Sequence, residues 1–289
     1  MKVEAINCNL CQSNNCKTIG TFEFCGQELK LVKCLECGLN YVNPRVTQEE
    51  LNKYFQDFHR VSQSEVEYWN NNKMLIIKQV INILKKYKPG KLLDVGSAYG
   101  FLLNEAKQLG WKPYGVEISK ANVEYSKEKY NIDIFNGYLK EAKYKEESFD
   151  VVTIIDVLYY SYDPIFELKE TRRILKDGGL LIIRDTNRIN YIQKSQMLKK
   201  SKDLFENFFF FGMKDHLYFF NINSCKKMLV KAGFKDITFV NSMMGCETKK
   251  RFSKNKMVRL IMLLFFDAIW FLSCKKICLA PSVIVMARK

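Results

Sequence analysis

The chain has 289 residues, 47% of them hydrophobic, and a formal net charge of +15. This length and apolar content exclude an intrinsically disordered chain and allow one large domain with small additions. The positive charge favours anionic partners, although lysines spread along the whole sequence also serve solubility.

Ten cysteines occur in the sequence, and no signal peptide is recognisable at its start. We therefore expect a cytoplasmic protein whose thiols are reduced or bound to metal. Four of the cysteines form two Cys-x-x-Cys pairs, which are Cys8, Cys11, Cys34 and Cys37. Two such turns place four thiolates around one tetrahedral ion, and the segments between them, TIGTFEF and ELKLVKC, predict a β-hairpin. The pattern predicts a zinc ribbon over residues 1–44 with a structural Zn²⁺; a redox role for a single pair is the alternative.

Residues 45–88 are predicted to form a helical connector that also serves as a lid. Thr47 and Ser64 each begin an S/T-x-x-E capping box, which is typical of a helix start. Apolar residues from Leu75 to Tyr87 follow helical spacing, and Pro89 ends the pattern.

From residue 89 the chain alternates between strands and helices. The segments KLLDVG, KPYGVEIS, IDIF, FDVVTIID, LLIIRD, KDITF and SVIVMAR are predicted strands. Ser119 and Asp163 stand where N-caps of two intervening helices belong. This alternation predicts an α/β fold with a largely parallel sheet, helices on both faces and a ligand at the carboxyl ends of the strands.

The stretch LLDVGSAYG ends the first of these strands in a glycine turn. Asp94 stands two residues before Gly96, Gly100 follows, and Glu117 ends the next strand. The spacing is not the G-x-G-x-x-G of dinucleotide sites, and a carboxylate near the turn suits a cationic or amino-bearing ligand better than a diphosphate. Glu117 is able to accept hydrogen bonds from both hydroxyls of a ribose. The methyl group of Ala98 is expected to be tolerated only if its φ angle is negative.

At these residues the sequence resembles the class I S-adenosylmethionine-dependent methyltransferases, whose first motif is approximately D-x-G-x-G-x-G. The resemblance covers Lys91 to about Val240 and includes YGVEIS, FNGYLKEA, ESFDVV, RILKDGGLLII and KAGF. The cysteine pairs, followed by CGLNYVNPRVTQEELNKYF, resemble a subgroup with a zinc ribbon before this domain. The resemblance implies a Rossmann-like seven-stranded sheet in residues 89–289, with S-adenosyl-L-methionine as cofactor.

The resemblance also implies roles for single residues. The implied cofactor contacts are Asp94, Gly96, Ser97, Ala98, Gly100, Glu117, Ile118, Gly137, Tyr138, Leu139, Asp156 and Val157. Asp94 orients the loop or the cofactor's amino group, Glu117 holds the ribose and Ile118 lies against the adenine. Asp156 and Val157 face both cofactor and substrate.

Two residues are expected to act on the acceptor. Many relatives have Glu-His after the fourth strand, where this chain has Tyr159 and Tyr160. Tyr160 is predicted to act by hydrogen bonding or by facing the sulfonium with its ring, and packing in the pocket wall is the alternative. His216 is predicted to be a base or a substrate contact; the alternative is a histidine satisfied by a backbone hydrogen bond.

A hydrophobic helical insertion is predicted at about residues 249–280. Lys249–Arg259 contains six basic residues and no acid, and the apolar segment Leu260–Leu272 follows it. The apolar run is too short to span a bilayer of about 30 Å. It is expected either to rest on an anionic membrane or admit a lipid-linked substrate, or to cap the active site or pack in a dimer interface.

The sequence as a whole predicts a methyltransferase acting on a small molecule, such as a sugar, a lipid intermediate or a secondary metabolite. An RNA methyltransferase that uses the ribbon and the basic surface is one alternative. The ribbon is not notably basic, however, and no Asn-Pro-Pro-Tyr-type motif follows the fourth strand, so nucleic acid is the less favoured partner. A non-catalytic S-adenosylmethionine-binding module is the other alternative, and the oligomeric state stays open.

Overall fold

The structure, a computed structural model, describes residues 1–58, 63–187, 215–242, 256–273, 280 and 282–289. Its strands and helices are numbered here in chain order. The amino-terminal part contains β1 (Val3–Glu4), β2 (Cys16–Phe24), β3 (Gln27–Cys34), β4 (Asn40–Val42) and β5 (Arg45–Val46). As predicted, β2 and β3 form an antiparallel hairpin between the two cysteine pairs.

The amino-terminal part that contains β1 to β5 is called the ribbon below. Its four-stranded sheet takes one strand from a distant part of the chain. Strand β11 (Tyr218–Phe219) pairs with β4 in the order β11-β4-β3-β2. The described parts of the ribbon have a small apolar core of their own that includes Phe22, Leu31 and Phe219. The ribbon is therefore hydrogen-bonded to a segment that follows the tenth strand of the chain.

Two helices form the connector, α1 (Gln48–Phe58) and α2 (Gln63–Leu84). Helix α1 begins directly after Thr47, whose carbonyl accepts a hydrogen bond from Leu51 N at 3.0 Å. The described part of helix α2 includes Ser64 near its start, close to where the capping box predicts a helix to begin.

A seven-stranded sheet forms the rest of the fold and confirms the predicted architecture. Its strands are β6 (Lys91–Val95), β7 (Lys112–Glu117), β8 (Ile134–Asn136), β9 (Phe149–Ile155), β10 (Leu175–Thr186), β12 (Lys235–Asn241) and β13 (Ser282–Arg288). They lie in the order β12-β13-β10-β9-β6-β7-β8. Strand β13 runs antiparallel to both of its neighbours, whereas β10, β9, β6, β7 and β8 pair in parallel.

Helices cover both faces of this sheet, as expected for strands that are apolar on both sides. The remaining helices are α3 (Phe101–Gln108), α4 (Lys120–Tyr130), α5 (Pro164–Ile174), α6 (Ile222–Lys231) and α7 (Lys256–Leu272). On one face, Val80 of α2 and Leu103 of α3 pack with Leu92 and Ile182 of the sheet. On the other, α5, α6 and ribbon residues around the cysteines share one core.

The helix starts follow local chemistry. The Ser119 side chain accepts from Asn122 N at 3.4 Å, and the Asp163 side chain accepts from Phe166 N at 3.0 Å with Pro164 in the first turn, as predicted.

Helix α7 lies within the predicted insertion, whose residues 249–255 and 274–279 lie outside the described ranges. Each helix described falls short of the length or the apolar content that crossing a membrane requires.

Candidate active site

The turn after β6 brings the predicted cofactor loop against β7. The backbone N–H groups of Gly96 and Ser97 donate to the Val116 carbonyl at 2.8 and 3.1 Å. Gly96 and Gly100 have φ angles of 71° and 75°, which glycine adopts at little cost. The loop is therefore held on the sheet by its own backbone.

Both glycines also lie where a side chain has no room. A Cβ atom on Gly96 would overlap the Val157 side chain, and one on Gly100 would overlap the Ser126 hydroxyl. These contacts bring the loop close to the end of β9 and to α4, so the glycines are required by packing as well as by backbone conformation.

Ala98 contradicts one expectation. Its φ angle is 46°, in the left-handed region, although its methyl group was expected to require a negative value. The Ala98 N–H donates to Glu117 Oε2 at 2.9 Å, and this charge-assisted hydrogen bond offsets the steric cost. The strained residue thus joins the loop to the predicted ribose-binding carboxylate.

Replacing Ala98 by glycine is expected to raise the free energy of unfolding by about 0.5 kcal/mol. Glycine removes about 1–2 kcal/mol of left-handed strain from the folded state. This gain outweighs the about 0.4–1 kcal/mol by which the greater conformational freedom of glycine favours the unfolded chain. Urea denaturation of the two proteins measures the difference. In the matched control Ala121→Gly, within helix α4, the same chemical change is expected to lower stability by up to about 1 kcal/mol. A loss of stability in Ala98→Gly would mean that contacts of the methyl group outweigh the strain.

Glu117 is buried at the end of β7 with its carboxylate turned toward the loop. Its Oε1 accepts from Ser119 N at 2.8 Å, and its Oε2 accepts from Ala98 N. These two hydrogen bonds orient both oxygens of the carboxylate.

Asp94 is buried behind the loop. Its Oδ1 accepts from the Thr153 hydroxyl at 2.6 Å. Burial, with a contribution from the charge of Glu117, raises the pKa of Asp94 to about 7 despite that hydrogen bond. Because a nearby cation favours the ionised form, this carboxyl is suited to respond to a positively charged ligand group.

The predicted adenine border follows β8. Asn136 Nδ2 donates to the carbonyls of Glu117 and Ile118, each at 3.0 Å, and Gly137 N donates to Glu117 O at 3.0 Å. The Tyr138 N–H donates to Glu141 Oε2 at 2.8 Å.

Two further features tie this border to the surrounding fold. The Tyr138 hydroxyl donates to the side chain of Asn52 in α1, and Leu139 is buried in the core. The structure therefore brings the border of the site and the connector into contact.

Asp156, at the end of β9, forms ion pairs with two basic side chains. Its carboxylate forms ion pairs with Lys73 of α2 and Arg184 of β10, and all three side chains are largely buried. Burial alone raises the pKa of Asp156, but Arg184 and Lys73 lower it to about 2. The residue has a φ angle of 59°, and such strain in a non-glycine residue is concentrated at functional sites.

Tyr160 and His216, the predicted acceptor-side pair, lie together. Their ring centroids are 5.1 Å apart, and His216 stacks on Tyr159 at 3.8 Å. Phe55 of α1 packs edge-on against Tyr160 at 5.2 Å. The other histidine of the sequence, at position 59, lies outside the described residues.

Sequence reasoning missed Lys73, Arg184, Thr153, Asn52 and Phe55 as members of this site. A signal for Arg184 existed, because a charged residue at the end of the apolar run LLII calls for a buried partner. Lys73 and Asn52 carry no such signal, since polar residues on helices are usually solvated.

The four paired cysteines form a second candidate site. Cys8 and Cys37 have their sulfur atoms 3.4 Å apart, as do Cys11 and Cys34, and all four sulfurs lie within 4.8 Å of one another. Four ligands at about 2.3 Å from one tetrahedral ion are separated by about 3.8 Å, so the cluster has the dimensions of a Cys₄ metal site. All four are free thiols; Cys25 is exposed and lies outside the cluster.

Comparison with known proteins identifies the fold's family. A family model described as "Methyltransferase domain" matches residues 68–238, more than half of the chain. The chain belongs to this family. It is an S-adenosylmethionine-dependent methyltransferase by that membership, which also accounts for the glycine turn after β6 and the sheet order.

Two relatives show how far the sequence similarity extends. The chain is 31% identical over 174 residues to the uncharacterized protein MJ1123 of Methanocaldococcus jannaschii, covering 60% of this chain and 78% of that one. It is 28% identical over 144 residues to a ubiquinone biosynthesis O-methyltransferase of Pelagibacter ubique, covering 47% of this chain and 58% of that protein. The chain therefore aligns with little more than half of this named enzyme.

Solved structures share the fold at low sequence identity. A methyltransferase of Thermotoga maritima superposes with a TM-score of 0.53 at 19% identity, covering 84% of this chain and 100% of the other. One of Archaeoglobus fulgidus gives 0.50 at 16% identity, covering 77% and 99%. At these identities the likeness concerns the fold alone.

Proposed function

We propose that this methyltransferase acts on a small molecule that is enclosed at the carboxyl edge of the sheet. One observation carries the proposal: three residues along this edge contact the connector. Tyr138 binds Asn52, Tyr160 packs against Phe55, and Asp156 pairs with Lys73. An edge covered in this way favours an acceptor small enough to be surrounded over an extended polymer.

The residues at this edge fit S-adenosylmethionine. Gly96 and Gly100 let the loop pack closely on Val157 and Ser126, Glu117 directs a buried carboxylate toward that loop, and Asp94 is suited to a cationic group. Gly137, Tyr138, Leu139 and Ile118 are proposed to border the adenine. When bound, the cofactor supplies an electrophilic methyl group on a sulfonium.

His216 and Tyr160 are proposed to contact the acceptor. Methyl transfer depends mainly on alignment of the acceptor atom, and a base helps only where that atom carries a proton that has to leave. Buried His216 stacks on buried Tyr159 and meets the half-buried Tyr160 edge-on, which supports a wall that positions the acceptor.

A Zn²⁺ ion is proposed to bind the four paired cysteines. The sulfur separations support this assignment, and no position is left on a tetrahedral ion with four thiolate ligands for water or substrate. The ion is therefore assigned a structural role in the ribbon and no part in the chemistry.

The proposal is tested by incubating the protein with radiolabelled S-adenosylmethionine and fractionated native cell extract. Label is expected in a low-molecular-mass pool, either water-soluble or lipid. The control is Glu117→Ala, which removes both oriented oxygens and is expected to transfer no label in any fraction. Label confined to nucleic acid contradicts the proposed acceptor class. Tight binding of S-adenosylhomocysteine in calorimetry without transfer to any pool would instead indicate a binding module.

A further inference from the structure

Helix α7 presents a continuous apolar face to solvent. Five of its large apolar residues are between 58% and 81% exposed, and these are Ile261, Leu264, Phe265, Phe271 and Leu272. Leu264 and Phe265 follow Ile261 by three and four residues, and Phe271 and Leu272 follow those two by seven, so the five side chains lie on one side of the helix. We call these five residues the α7 apolar face.

The other side of the helix is attached to the fold. Leu263, Phe266 and Trp270 are partly buried, and the helix contacts β12. Asp267, the one acidic residue in α7, accepts a hydrogen bond from Asn241 Nδ2 of β12 at 2.8 Å. The helix is thus held on the sheet edge with its acid engaged by β12 and its apolar face outward.

This concentration of exposed apolar residues is unusual within the described part of the chain. Other large exposed apolar residues there lie in separate parts of the chain, such as Leu35 in a turn, Phe166 on α5 and Val230 on α6. Single exposed apolar residues are ordinary, but a contiguous face of five marks an interaction surface.

The flanking sequence identifies the chemistry of the partner. Lys249–Arg259, which runs into the first turn of α7, has six basic residues and no acid, and Lys275 and Lys276 follow the helix closely. An apolar helix face whose sequence is preceded and followed by cationic residues is complementary to an anionic bilayer, which offers an apolar interior beneath a negatively charged surface. A second copy of the chain would bring the same cationic segments against each other.

We infer that the α7 apolar face docks on the surface of a membrane containing anionic phospholipid. The helix has 17 residues, about 26 Å in length, and its partly buried side is engaged by β12. It therefore lies along the membrane surface and does not cross it. This inference does not depend on the identity of the methyl acceptor.

The test is flotation of the purified protein with vesicles of phosphatidylcholine alone or of phosphatidylcholine mixed with about 30 mol% phosphatidylglycerol, whose anionic headgroups give the surface a negative potential. Binding is expected only with the anionic vesicles and is expected to weaken at high salt. The variant Phe271→Asp/Leu272→Asp is expected to reduce the partition coefficient at least about tenfold, because both side chains lose their apolar contact with lipid.

The matched control is Phe166→Asp/Val230→Asp, which changes the net charge equally and replaces two exposed apolar residues on α5 and α6. It is expected to bind within about twofold of the unmodified protein, because its two new charges lie on other helices and leave the α7 apolar face unchanged. Equal binding by both variants, or no binding to anionic vesicles at low salt, overturns the inference. A dimer in analytical ultracentrifugation that the α7 variant abolishes, without vesicle binding, would also overturn it by assigning the face to self-association.

Discussion

Replacing Gly96 by alanine is expected to lower the affinity for S-adenosylmethionine by on the order of 100-fold. At a φ angle of 71° the new methyl group is strained by about 1–2 kcal/mol, and overlap with Val157 adds about 1–3 kcal/mol if the turn keeps its shape. The variant without ligand relieves this strain by moving the loop. Ligand binding then has to return the loop to its original shape, and the energy that this requires lowers the affinity. Isothermal titration calorimetry with S-adenosylmethionine and S-adenosylhomocysteine measures the loss.

Gly178 provides the matched control. Its φ angle is 70°, nearly that of Gly96, but a Cβ atom there meets nothing within 4 Å. Gly178→Ala therefore introduces the same backbone strain in open space, and it is expected to leave the affinity within about twofold while lowering stability by about 1 kcal/mol. If both variants bind the ligand equally well, the close approach of Gly96 to the end of β9 has no part in cofactor binding.

The grouping of the proposed cofactor residues at one edge of the sheet could be predicted because its signals are local. Asp94, Gly96 and Gly100 lie within one strand and turn, and Glu117 ends the next strand, so the parallel arrangement alone brings them to one edge. The conformation of Ala98 escaped prediction because it depends on a hydrogen bond to Glu117, which lies on another strand.

The acceptor side depends on contacts that local patterns do not encode. Lys73 reaches Asp156, and Asn52 reaches Tyr138, only because the connector helices fold over the sheet edge. Helical periodicity predicts that such helices exist and which stripe is apolar, but it does not place a polar residue opposite a particular strand end. His216 was selected by resemblance, and its stacking on Tyr159 is a consequence of tertiary packing.

Hydrogen bonds to the ribbon hold the chain segment that carries His216. Leu217, next to His216, donates its N–H to the Tyr159 carbonyl at 2.9 Å and accepts from Val42 N of the ribbon at 2.9 Å. Strand β11 then continues as the fourth strand of the ribbon sheet. The segment that carries His216 is thus held between the ribbon on one side and the turn after β9 on the other.

Two lysines of α6 strengthen this attachment at the cysteine turns. Lys227 Nζ donates to the Cys37 carbonyl at 2.9 Å, and Lys231 donates to the Leu10 carbonyl. Both acceptors lie within the two cysteine turns, so the shape of those turns is transmitted directly to α6, which begins a few residues after His216.

Loss of the proposed Zn²⁺ is therefore expected to disable methyl transfer while sparing cofactor binding. In Cys11→Ser the thiolate set is incomplete, the turns lose their fixed shape, and the His216 segment loses its support. A displacement of about 1 Å at the acceptor wall lowers turnover by on the order of 100-fold. The loop around Gly96 and Glu117 is held by β6 and β7, so the affinity for S-adenosylhomocysteine is expected to change by less than about threefold.

Cys25→Ser is the matched control, because Cys25 is exposed like Cys11 but lies outside the thiol cluster. It is expected to retain one equivalent of zinc and full turnover of whichever pool the extract assay identifies. Hydrogen exchange supplies a readout that does not require the acceptor: peptides covering residues 215–220 are expected to exchange faster in Cys11→Ser, whereas peptides from α3 are expected to be unchanged. Unchanged exchange at residues 215–220 in a zinc-free protein would show that β11 holds its place without the metal. The acceptor wall would then owe its position to the strand pairing of β11 and to the turn after β9, without a contribution from the metal.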